Sequence, residues 1–172
     1  MITDIAGHIG RFIILILAQV LILNSIQLSG FINPFIYVLF ILTLPVKISR
    51  ILLLTIAFIT GLAIDFFTNT PGLHAAATVC MAFFRPYILT SIAPRDGYEV
   101  DEKPSINKLG LNWFLSYSTI MVLIHHFALF YLEVFRFEDF FATLLRVFVS
   151  AIFTLVFIIL SQYLFNKQVA FK

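Results

Sequence analysis

The chain has 172 residues, is 61% hydrophobic and 12% charged, and carries a formal net charge of +2 with a mean hydropathy of +1.03. An ordinary soluble domain is roughly half apolar and about a quarter charged, so that class is excluded. A small, dispersed positive charge leaves no footprint for nucleic acid.

What remains is an all-α integral membrane protein with little mass outside the bilayer, since 21 Phe exceed what a small water-soluble core hides. The single cysteine, Cys80, lies inside an apolar run. An intramolecular disulfide and a zinc site built on several cysteines are thereby excluded.

Six apolar stretches follow one another, each read as a candidate span. The first, residues 9–26, has Asp4 ahead of it and no small-residue cleavage site after it. It is expected to stay attached rather than act as a cleaved signal. The second, 31–44, is short, opens on Asn33-Pro34 and is stopped by Pro45. With the first it is expected to form a tilted pair or a partly re-entrant hairpin. The third covers 48–67, the fourth 71–92, the fifth 111–132 and the sixth 140–165. Between the fourth and fifth lies the one real polar loop, 94–110. The domain expectation is thus a single six-transmembrane-helix bundle over 1–172.

Six spans place Arg11, Lys47, Arg50, Arg95, Lys103, Lys108, Lys167 and Lys172 on one side. The other side carries Arg136 beside Glu133, Glu138 and Asp139. Basic residues concentrate in cytoplasmic loops, so both termini and the polar loop are expected in the cytoplasm.

The most unusual stretch is Gly61-Leu-Ala-Ile-Asp65 followed by Thr70-Pro71-Gly72-Leu-His74. Asp65 comes about 27 Å along a helix from Lys47, near the far membrane interface. Gly61 shares its helix face and admits a close neighbour. A carboxylate at a helix C-terminus opposes the macrodipole and needs compensation. The next helix is expected to supply it, with Thr70 as N-cap, Pro71 as first helical residue and free N–H groups pointing back. His74 is a second candidate partner. Two readings stand: an ion or substrate ligand, or a clamp that fixes how the third and fourth spans pack.

Arg85-Pro86 is the other anomaly, with a kink expected at Pro86. Arg85 reads either as an interfacial anchor snorkelling to the cytoplasmic side or as the partner of an acid on a neighbouring span. His125 and His126 point about 100° apart on a helix and cannot share one metal; at least one is expected to bond a helix carbonyl. Arg146 is expected to pair with Glu133 or Glu138. Polar residues elsewhere in the spans are sparse, among them Asn24, Gln27, Asn112 and Gln162. No phosphate-binding loop, metalloprotease motif or nucleophile elbow is present, so neither an enzyme nor a cofactor site is expected.

Gly61-Leu62 and Asp65, then Thr70-Pro71-Gly72-Leu73-His74-Ala75, resemble the rod shape-determining membrane protein MreD family. The Leu44-Pro45 break, Arg85-Pro86 and Pro94-Arg95-Asp96-Gly97-Tyr98-Glu99 look like variants of its pattern. The resemblance implies a non-enzymatic member of the bacterial rod (elongation) complex in the cytoplasmic membrane. Its partners would be an MreC-like bitopic scaffold, the actin-like MreB, and the elongation polymerase and transpeptidase, within membrane lipid. It also implies a fold similar to the substrate-binding subunits of energy-coupling-factor transporters. The rival reading is therefore a small-solute (vitamin) binding subunit. The first span has Ala18 but no clear small-residue stripe for a coupling partner.

Overall fold

Residues 2–25, 32–134 and 140–165 are described by the computed structural model. The expected Gln27, Arg136, Glu138, Asp139, Lys167 and Lys172 lie outside them, as do the end of the first span and the start of the second.

Seven α-helices occur among the described residues: α1 (Ile2–Leu17), α2 (Val38–Leu42), α3 (Arg50–Thr68), α4 (Leu73–Ser91), α5 (Ile106–Leu109), α6 (Leu111–Val134) and α7 (Phe140–Phe165). Three of them, α3, α6 and α7, are long and apolar enough to cross a membrane. The first run is helical from Ile2, earlier than expected, and continues past α1 as a widened turn over Ala18–Ile22 and a tight one over Leu23–Ser25. The expected bounds of the later runs match α3, α4, α6 and α7 to within two residues.

Local signals account for the clean ends of α3. Ser49 is extended, and its hydroxyl accepts from the Leu52 N–H at the start. Asn69 closes the helix in the left-handed region (φ 54°), a conformation its short polar side chain tolerates. Packing then proceeds by neighbours: α4 contacts both α3 and α6, and α7 packs on α6. We call the α3–α4 connection the hairpin end and residues 94–110 the loop end.

The second run departs from the expected spanning helix. Only Val38–Leu42 is α-helical, although Tyr37, Val38, Ile41 and Leu42 are wholly buried. Pro34 and Pro45 bracket too few residues for a full crossing in helix, and each withholds a backbone donor. Buried non-helical backbone persists only where protein groups satisfy it, and polar side chains do so here. Asn33 N–H donates to the Ser150 hydroxyl (3.1 Å), Phe35 N–H to that of Thr154 (3.0 Å), and Ile36 N–H to Gln19 Oε1 (2.8 Å). Gln19 Nε2 donates in turn to the Pro34 carbonyl (3.1 Å). The run is apolar because protein surrounds it.

Candidate functional site

Two buried charges and one polar chain between them make up the unusual chemistry of this molecule. Asp65 is 5% exposed, in the last turn of α3. Its Oδ1 accepts from the Thr70 hydroxyl (2.9 Å) and the His74 N–H (3.0 Å), and its Oδ2 from the Ala75 N–H (2.9 Å). The carboxylate thus occupies the N-terminus of α4, where free N–H groups and the helix dipole both favour a negative charge.

The expected return of α4's N–H groups to Asp65 is present, but its details differ. Thr70 does not cap α4; its hydroxyl donates to Asp65 instead. Pro71 is not helical. Gly72 holds the N-cap position at φ 83°, a left-handed backbone that suits glycine, and α4 starts at Leu73. The physical reason is that Asp65 already supplies the acceptor that a capping side chain would have offered. Gly61 lies opposite: a Cβ there would overlap the backbone of His74 and Ala75, so α3 and α4 touch main chain to main chain.

His74 contributes only its N–H to Asp65. Its ring turns away, with Nδ1 at 3.0 Å from the Tyr37 hydroxyl, which also lies 2.6 Å from His125 Nε2. Tyr37 has one proton to give among these two ring nitrogens and the Thr78 hydroxyl (3.4 Å), so at least one imidazole donates to it. His126 Nδ1 is 2.9 Å from the Val122 carbonyl, the expected helix-carbonyl bond. That nitrogen must therefore carry hydrogen. The ring's Nε2 lies 3.1 Å from the Thr154 hydroxyl, which itself donates to the Ser150 carbonyl (2.8 Å). Both histidines are wholly buried despite their divergence, because Phe35 from the inserted run packs against both rings.

Arg85 reverses the Asp65 arrangement and corrects both expectations made for it. It is 1% exposed and neither snorkels nor meets an acid. Nε donates to the Tyr117 hydroxyl (2.8 Å) and Nη1 to the Pro45 carbonyl (3.2 Å), while Nη2 donates to the Leu44 and Leu42 carbonyls. Tyr117 donates to the Leu42 carbonyl as well (3.2 Å). A guanidinium presents its donors in a fixed fork, which suits the converging carbonyls at the end of a short helix. α4 runs through Pro86 to Ser91.

At the hairpin end a cavity of about 500 Å³ is lined by Asn24, Asn33, Thr70, His74, Glu133 and Arg146 among others. Arg146 pairs with Glu133 (3.1 Å), one of its two expected partners, and stacks on Phe130 (4.3 Å to the ring centre).

The structure brings Gly61, Asp65, Thr70, Pro71, Gly72 and the His74 backbone together, and sets Arg85 apart at the loop end. Residues that sequence reasoning missed are Gln19, Tyr37, Tyr117, Ser150 and Thr154. Each is one polar side chain in an apolar run, and its partners are remote in sequence, so no local spacing marks it. Comparison with protein-family models, curated proteins and solved structures finds no match for this chain.

Proposed function

We propose that this chain is a non-enzymatic, six-crossing component of the bacterial rod complex, with both termini in the cytoplasm. In this reading it binds an MreC-like bitopic scaffold and supports side-wall peptidoglycan synthesis. Its crossings are α1 with its extension, the inserted run 32–44, α3, α4, α6 and α7. The observation that carries the proposal is where the polar groups go. Asp65 and Arg85, the two side chains that would serve a ligand or a coupling ion, are both consumed by the chain's own backbone. A motif spent on internal shape suits a protein that works by presenting helix faces to partners. The resemblance over Gly61–Ala75 supplies the complex.

The test is a mild-detergent pull-down of the tagged chain from native membranes, with partners identified by mass spectrometry. Recovery of a bitopic coiled-coil scaffold with the elongation polymerase or transpeptidase is expected. Recovery of an ATPase pair with its coupling protein would overturn the proposal in favour of the solute-binding reading. One observation favours that second reading: the cavity beside Asn24, Asn33 and His74 has the mixed apolar and polar lining of a small-molecule site.

A further inference from the structure

Because α2 is only five residues long, the space between α1 and α3 is not filled by a full helix. A lateral groove of about 740 Å³ remains there, floored by Ile9, Phe12, Phe40, Leu44, Ile56 and Ile59. Its α3 wall runs from Ser49 to Thr60, about 16 Å along the axis at 1.5 Å per residue. That is about half of a hydrocarbon core roughly 30 Å thick. The groove is thus one leaflet deep, the length of an acyl chain and too short for a crossing helix.

Two opposite charges line the loop end of this groove, Lys47 and Asp101. Both are exposed, and neither side chain has a hydrogen-bond or ion-pair partner among the described residues. They are held in place through the backbone, where the Val46 N–H donates to the Glu102 carbonyl (2.8 Å) and Asp101 itself occupies a turn at φ 61°. Opposite charges on one groove that do not pair with each other are arranged for a ligand carrying both signs.

We propose that the groove holds one bilayer phospholipid with a phosphoethanolamine headgroup, its phosphate on Lys47, its primary ammonium on Asp101 and its acyl chains along α3. A primary ammonium gives Asp101 charge-assisted hydrogen bonds. An anionic glycerol headgroup also offers its phosphate to Lys47 but brings no cation to Asp101. The proposal rests on the membrane reading of the chain but not on its partners.

The experiment reconstitutes the full chain into vesicles of equal phosphatidylethanolamine and phosphatidylglycerol. The protein is then re-extracted in mild detergent, and its retained lipid is read by native mass spectrometry. One retained phosphatidylethanolamine per chain is expected. Asp101→Asn, on an exposed turn whose left-handed backbone asparagine also adopts, is expected to lose the headgroup preference with no change in thermal stability. Ile56→Trp, which fills the groove, is expected to lose the lipid altogether. Equal or greater retention of phosphatidylglycerol by the unaltered chain overturns the proposal. So does a chain recovered from the membrane fraction with no lipid, an outcome that leaves the rod-complex reading standing. Crosslinking of Ile56→Cys to a partner helix in native membranes overturns it as well.

Discussion

Asp65 and Arg85 are opposite solutions to one problem. Each is a lone charge buried in an apolar bundle, and each is neutralised by backbone dipoles without an ion pair. Asp65 takes the free N–H groups at the start of α4, while Arg85 takes the free carbonyls at the end of α2. The difference lies in reach. Asp65 finds its partners five to ten residues away, and Arg85 finds its backbone partners 40 to 43 residues away. One therefore closes a local hairpin, and the other fastens a distant segment into the bundle.

The largest expected effect breaks the long-range member of this pair. Arg85→Met leaves the Leu44 and Pro45 carbonyls without their buried donor and the Leu42 carbonyl with Tyr117 alone, a loss of about 3 kcal/mol for groups stranded away from water. Unfolding of the purified chain in mixed micelles should show it. Arg85→Lys should recover only part, because an ammonium lacks the planar fork. Full stability in the methionine variant would mean that the inserted run holds itself in place.

Next comes the hairpin's close approach. Gly61→Ala places a methyl against the His74 and Ala75 backbone, an overpacking cost of about 2 kcal/mol, since backbone cannot swing aside as a flexible side chain does. The same unfolding assay should show it, and an unchanged midpoint would refute main-chain contact there. Asp65→Asn keeps one acceptor oxygen but turns an amide donor toward an N–H donor, for about 1 to 2 kcal/mol. Recovery of partners in the pull-down should fall with it. Normal partner recovery and normal cell width in that variant would remove the hairpin from the proposed function.

The smallest effect is at the edge of the Arg85 region, in the loop. Tyr98 donates to the Leu89 carbonyl (2.7 Å), and burial, followed by Tyr117 and Glu102, pushes its phenol up to about 12 from 10.0. The unfolded chain releases this proton first, so the folded state binds more protons between those values. Tyr98's contribution should be intact below pH 10 and disappear as pH rises toward 12. An alkaline unfolding series should show a steeper loss of stability in the parent than in Tyr98→Phe.

Much of the Asp65 site was legible in the sequence because helix end, turn and helix start are contiguous. Gly61 and Asp65 share a face by spacing alone, and the start of the following helix leaves N–H groups free for a nearby carboxylate. The roles given to Thr70 and Pro71 went astray at one point. A Thr-Pro pair ahead of an apolar run signals a cap and a first turn, but a carboxylate from the previous helix already filled that place, and Gly72 could adopt the left-handed turn that brought it there. His74 was paired with the acid for its nearness in sequence, whereas its ring follows the inward face of α4 toward Tyr37 and His125.

Composition and apolar run length determined the helical class and the bounds of α3, α4, α6 and α7, since helix ends depend on caps and breakers within a few residues. Sequence also marked the second run as too short and bracketed by proline. Only the tertiary structure decided what that run does. Gln19, Ser150 and Thr154 accept from its N–H groups, and Arg85 and Tyr117 donate to its carbonyls, from helices far apart in the chain. An unpaired backbone group must find a partner when it is buried. Which side chain provides that partner is set by packing, and packing has no period in the sequence.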